Sequence, residues 1–144
     1  MTIRKINKSD FEKCSLFIRD VIKNSKATPK MKEFIKKRYS PFGIQRLFKT
    51  SEMFIIKYND KIICTGKLSK NTNEIGMIYV NPNFQRKKNG TKMMQFLESL
   101  AKKKKKKETY VHALYPAIGF YKKLGYKLIK CKNKDSCLMT KETI

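Results

Sequence analysis

Close to residue 80 the hydrophobic pattern changes period, and this change restricts the possible folds more than any other feature of the chain. Residues 53–58, 61–68 and 74–80 are β-rich runs, and the Asn59-Asp60 pair and the polar stretch 69–73 separate them as turns would. Further on the period becomes helical: Met93, Met94, Leu97, Leu100 and Ala101 share one face. Strands that run into a helix need a layered sheet-and-helix architecture, because neither element buries its apolar face alone.

The flanks fit the same plan. Residues 3–6 read as a first strand. Ser9-Asp10-Phe11-Glu12 has the form of a capping box with Ser9 at the cap. Phe11, Cys14, Ile18, Val21 and Ile22 continue it with helical spacing to about residue 24. Thr28-Pro29 is a second helix start, with Met31, Phe34 and Ile35 as the apolar face. Pro41 and Gly43 break that helix, and a short one follows at 44–49. Downstream, 109–113 reads as a strand, 116–124 as a short helix, and 126–130 with 136–140 as a final hairpin. The expectation is a mixed α/β sheet in one domain over residues 1–144, long enough to bury a core, without internal repeat or linker.

Hydrophobic residues make up 40% of the chain, too many for a disordered tail. There is no apolar run of membrane-spanning length, and residues 1–5 lack the apolar stretch of a signal peptide. A cytoplasmic location without membrane association is expected. Cys14, Cys64, Cys131 and Cys137 form no C-x-x-C pair, and a single histidine is present to help them, so no metal is expected. In a reducing compartment they read as core or surface thiols. Basic residues outnumber acidic ones 35 to 11, giving a net charge of +24 and a field that speeds encounters with anions. Nucleic acid, anionic membranes and phosphorylated cofactors all qualify as partners. Compositional drift, with lysine wherever solvent is expected, accounts for the charge as well.

The segment Val80-Asn81-Pro82-Asn83-Phe84-Gln85-Arg86-Lys87-Lys88-Asn89-Gly90-Thr91 leaves a strand and enters a helix. Amides at a helix start have no internal partners and carry partial positive charge, so anionic oxygens bind there. Gly90 allows close approach of backbone, and Arg86, Lys87 and Lys88 add cations. Neither the P-loop nor the dinucleotide pattern is present. The alternative is an ordinary strand-to-helix turn with solvated lysines.

A second segment, Val111-His112-Ala113-Leu114-Tyr115-Pro116-Ala117-Ile118-Gly119-Phe120-Tyr121-Lys122-Lys123-Leu124-Gly125-Tyr126, follows the next strand. Taken alone, Phe120 and Tyr121 fit an aromatic core stripe, and Leu124-Gly125 a helix end. Together the two segments resemble the signatures of the GNAT (GCN5-related) superfamily of N-acetyltransferases, in the same order. Val80, Pro82, Gln85 and Gly90 match the loop pattern V-x-P-x-x-[QR]-x-x-G-x-[GA], with Lys88 in place of its first glycine. Ala117, Phe120, Tyr121, Gly125 and Tyr126 match the second signature, and His112 stands where many relatives have asparagine. A lysine fits at position 88 if its φ stays negative.

The resemblance implies a GNAT fold: a central mixed, mostly antiparallel sheet of six to seven strands, splayed between strands 4 and 5 and flanked by about four helices. Acetyl-CoA, the co-substrate, would sit in the splay. Main-chain groups of Ile78, Tyr79 and Val80 would meet its acetyl and pantetheine parts. Gln85, Arg86, Lys87, Lys88, Asn89, Gly90 and Thr91 would hold the pyrophosphate, and the Tyr121 hydroxyl would lie near the sulfur as acid or hydrogen-bond donor. Homodimers are common in the superfamily.

Attack on a thioester needs a neutral amine. At pH 7 an amine of pKa ~10.4 is about 3.4 pH units from neutrality, roughly 4.6 kcal/mol. A general base offsets part of that. Glu74 lies eleven residues before Gln85, the offset of the base glutamate in histone acetyltransferases of the superfamily; the alternative is a solvent-facing residue at a strand start. His112 is a secondary candidate base, or a structural histidine at a strand end.

The reading is an N-acetyltransferase acting on a primary amine: a small molecule, amino acid or peptide. Few, scattered carboxylates and the positive field argue against polyamine and aminoglycoside acceptors. Two other classes stay open. One is a non-catalytic CoA-binding sensor. The other is a basic nucleic-acid-binding domain, invited by the lysine run 102–107 but lacking interleaved aromatics for stacking.

Overall fold

The computed structural model describes residues 2–143, except for the side chains of Arg86 and Lys87. Strand β1 (Ile3–Lys5) leads through a helical turn into α1 (Phe11–Lys23), followed by α2 (Pro29–Arg38) and α3 (Pro41–Thr50). The meander β2 (Ser51–Tyr58), β3 (Lys61–Ser69) and β4 (Ile75–Val80) comes next, then α4 (Asn89–Lys103) and β5 (Glu108–Ala113). Helix α5 (Ile118–Lys123) and the hairpin β6 (Lys127–Asn133) and β7 (Ser136–Glu142) complete the order.

The strands form two antiparallel sheets, β1-β2-β3-β4 and β5-β7-β6. They meet at one parallel bridge between Glu74 and Tyr110, where the Tyr110 amide donates to the Asn73 carbonyl at 3.1 Å. Beyond that bridge β4 and β5 part. The expected splay between the fourth and fifth strands is thus present; the described residues form seven strands, in two sheets rather than one, and five α-helices where about four were expected.

Two apolar clusters hold the halves. Helix α4 presses Met93, Met94, Leu97 and Ala101 onto one face of the first sheet and against Val111, Tyr126 and Met139 of the second. Cys14, Ile18 and Ile22 of α1 and Ile35, Tyr39 and Ile44 pack on the opposite face, against Met53, Ile55 and Met77. The alternation along β2 sends Phe54 and Ile56 to the first cluster and Met53 and Ile55 to the second.

Four local expectations change. The capping box sits two residues earlier: Asn7 caps the turn, and the Asp10 carboxylate accepts from the Asn7 amide at 2.8 Å. Asp10 is buried and bound at both oxygens by Arg4, each at 3.0 Å, which holds it there against the cost of burying a carboxylate. Pro41 starts α3 rather than only ending α2, with Ser40 as the cap. Gly43 belongs to that helix, because a Cβ there would lie 2.1 Å from the Arg38 carbonyl oxygen. Finally, Cys131 and Cys137 are not both free: facing each other across β6 and β7, they form a disulfide, a pairing that sequence spacing does not reveal. Cys14 and Cys64 are buried thiols, their pKa values pushed up to about 12 by burial.

Candidate active site

The splay opens a cleft of about 410 Å³, walled by β4 on one side and β5 on the other. Helix α2 closes it with Met31, Phe34, Ile35 and Arg38, and the β6–β7 turn adds Asp135 and Ser136. That turn is tied across to α2, since the Thr28 hydroxyl donates to Asp135 at 2.7 Å.

Strand β4 is irregular where it faces the cleft. Its pairing with β3 slips between Thr65 and Lys67, and Met77 takes φ +58°. The Thr65 hydroxyl donates to the Met77 carbonyl at 2.6 Å and fixes the bulge. A bulge bends its strand and re-aims main-chain groups. Here it presents Met77, Ile78 and Tyr79 to the cleft.

The loop after β4 makes a helical turn, Pro82–Lys87, and enters α4. Asn81 caps that turn, and the Gln85 side-chain amide donates to the Val80 carbonyl at 3.3 Å. Lys88 adopts φ +62°, the left-handed conformation, contrary to the expected negative φ. The chain reverses between two helical segments there, a geometry that suits glycine and costs lysine roughly 1 kcal/mol. Lys88 offers no side-chain cap to α4, so the first-turn amides of Asn89, Gly90 and Thr91 have no partner within the helix. Asn89 is buried and its side chain donates to the Phe84 carbonyl at 3.2 Å. At Gly90 a Cβ would meet Phe120 at 3.2 Å and Val80 at 3.4 Å, so any side chain there would have to push Phe120 aside by a few tenths of an ångström where the helix start lies against β4 and α5. The side chains of Arg86 and Lys87, expected beside this loop, lie outside the described residues.

Three of the expected side chains meet in the cleft. Glu74, at the apex of the splay, is partly buried, with His112 Nε2 3.9 Å from Oε2. Tyr121 lies on the floor, 8% exposed, and burial pushes its pKa well up, so the phenol keeps its proton at neutral pH. Its ring stacks edge-on between Phe120 and Tyr126 at 5.0 and 5.8 Å.

Sequence reasoning missed Lys67. This residue is 2% exposed, and its Nζ is 3.6 Å from Glu74 Oε1. Burial lowers its pKa; the Glu74 charge offsets part of that and the nearby Arg38 charge adds to it. The signal was a lysine inside the otherwise uncharged run Ile62–Leu68, where a strand buried on both faces normally excludes charge. Arg38 and Tyr39 at the end of α2 were missed too. The Arg38 guanidinium lies 5.8 Å from the Tyr39 ring, which stacks edge-on with Tyr79.

The arrangement is thus a splayed sheet with a carboxylate at the apex of the cleft and, packed on Val80 where β4 ends, a helix start without a side-chain cap. The family described as "Acetyltransferase (GNAT) domain" matches residues 19–138. The chain belongs to this family of acetyltransferases.

Among solved structures, the PaiA N-acetyltransferase of Thermoplasma acidophilum, in complex with coenzyme A, superposes with a TM-score of 0.84 at 20% identity, covering 98% of each chain. A GCN5-related N-acetyltransferase from Rhodopseudomonas palustris gives 0.86 at 20% identity, over 98% of this chain and 94% of that one. An aminoglycoside 6'-acetyltransferase type Ii gives 0.79 at 16% identity, over 100% and 98%. No curated protein matches the chain in sequence. Among the described residues no helix is long and apolar enough to cross a membrane.

Proposed function

We propose that the enzyme, acting as one domain, transfers the acetyl group of acetyl-CoA directly to a primary amine that enters the cleft beside Glu74. The observation that carries this reading is the placement of one carboxylate at the apex of the splay, on the strand that runs to the uncapped start of α4. The first-turn amides of Asn89, Gly90 and Thr91 would take the pyrophosphate, with Lys88, Arg86 and Lys87 adding charge. Gln85 would act by bracing the loop on Val80. Main chain from Ile78 to Val80, turned inward by the bulge, would hold pantetheine and polarise the thioester carbonyl.

Glu74 takes the amine proton, directly or through water, as nitrogen bonds to the acetyl carbon and the carbon–sulfur bond breaks. His112, half-exposed and 3.9 Å from Glu74, offers that proton a way to solvent. A raised pKa keeps the proton on Tyr121, so the phenol is a poor acid but stays able to donate a hydrogen bond to the departing sulfur. A cytoplasmic location suits the supply of acetyl-CoA; there the Cys131–Cys137 bond would exchange with the thiol pool.

Thiol release from acetyl-CoA in the presence of amines tests the assignment. Glu74→Gln should lower kcat by about a hundredfold or more, within the usual range for losing a general base. The Kd for acetyl-CoA should stay put. Unchanged kcat between pH 6 and 9 would remove Glu74 from the chemistry.

A further inference from the structure

The cleft contains two cations that acetyl transfer to a simple amine does not use. Lys67 projects from β3 into the cleft, its Cε and Nζ lying 3.3 and 3.6 Å from where a Cβ on Gly76 would stand. It is almost fully buried, and its one carboxylate neighbour, Glu74, is at 3.6 Å, longer than a good charge-assisted hydrogen bond. Arg38 lines the same space from α2 and, among the described residues, makes no ion pair. The two are close enough for Arg38 to weaken the proton affinity of Lys67.

A buried ammonium and a guanidinium share one interior carboxylate, which the reaction needs for itself. The second carboxylate on the lining, Asp135, sits in the β6–β7 turn and takes the Thr28 hydroxyl. Among the described residues Asp135 makes no ion pair with either cation, so Lys67 and Arg38 have one carboxylate, Glu74, between them, and a buried charge is stable only when well paired. We propose that the acceptor brings a further anion: the substrate is an amine that carries a carboxylate, such as an α-amino acid, with the carboxylate on Lys67 and Arg38 and the amine against Glu74. An α-amino acid holds its two charges a few ångströms apart, the scale on which Lys67 and Glu74 are set. With the substrate carboxylate beside it, Lys67 would hold its proton without drawing on Glu74, which would be left to serve the incoming amine. This inference rests on the amine-acceptor reading above and sharpens it.

The test is a panel of the proteinogenic α-amino acids, each beside its carboxamide, with acetyl-CoA and the intact enzyme, read by thiol release. In parallel, binding of the best amino acid and its carboxamide is measured calorimetrically in the presence of CoA. Amino acids should exceed their carboxamides at least tenfold in kcat/KM, chiefly through KM, and bind correspondingly tighter. Lys67→Met should shrink that ratio to near one while leaving the Kd for acetyl-CoA unchanged. Arg38→Gln, a surface-accessible change, should reduce it in the same sense and guards against misfolding of the buried variant. Carboxamides used as well as amino acids, or a ratio that neither variant moves, would overturn the inference and leave the transferase reading intact. Binding of amino acids without any thiol release would instead sink the Glu74 chemistry and keep the carboxylate site. No binding and no release across the panel would overturn this inference.

Discussion

The two halves of the proposed site are made of different materials. The half proposed for the donor is main chain: the first turn of α4, the bulged stretch of β4, and a glycine where they pack together. The half proposed for the acceptor is side chains, with Glu74, Lys67, Arg38 and His112 coming from four separate elements or loops. A backbone site survives substitution as long as the path of the chain survives. That is why a lysine can replace a glycine at position 88 and the turn still forms. A side-chain site changes with every substitution, so on the proposed reading specificity belongs to the acceptor half.

This contrast can be broken or sharpened by experiment, and the largest effect is the one expected at Glu74, about a hundredfold in kcat with donor affinity unmoved. The converse is expected at Gly90. A valine there has no room against Phe120 and Val80 and displaces the helix start, at a cost of about 1–3 kcal/mol. Acetyl-CoA affinity, measured by titration calorimetry, should fall tenfold or more. If Gly90→Val instead altered acceptor KM alone, the division between the halves would be wrong.

Tyr126, packed edge-on against Tyr121, gives a pH signature. Burial raises the pKa of Tyr126, whose hydroxyl pairs with that of Thr109 at 2.8 Å. A folded-state value above the unfolded ~10 means that the contribution is intact below pH 10 and is lost as pH climbs past it. The loss approaches about 1.4 kcal/mol per pH unit for a phenol that cannot ionise in place. Urea unfolding between pH 9 and 11 should therefore show a shallower decline for Tyr126→Phe than for the wild type. Equal slopes would mean that Tyr126 ionises freely in the fold.

The smallest effect is expected at Lys88. Glycine adopts φ +62° without strain, but gains freedom when unfolded, so Lys88→Gly should raise stability by only about 0.5–1 kcal/mol. That is a rise of a few degrees in Tm. Acetyl-CoA affinity should change less than tenfold, because the amides stay where they were. A large loss of affinity would show that the Lys88 charge, not the main chain, carries the donor site.

Much of the molecule is legible in short-range signals of the chain. Thr28-Pro29 and the apolar spacing of α4 specify helices through local capping and burial, and both stand where those signals place them. Other local signals mislead because they have competitors. Ser9 could cap a helix, but Asn7 and the buried Asp10–Arg4 pair win. Pro41 ends one helix and starts another, and only the close packing of Gly43 on Arg38 shows which.

By itself, then, the sequence determined the order of strands and helices and the loop that precedes α4, because periodicity, caps and turn residues act over a few positions. It also put Glu74 at the start of the strand that leads into that loop, eleven residues before Gln85. The tertiary structure alone decided that the sheet parts at Glu74 and Tyr110, that Lys88 turns left-handed, that Cys131 meets Cys137, and that Lys67 and Arg38 share a cleft. These are encounters between distant segments, set by how whole faces pack, and no short-range pattern records them.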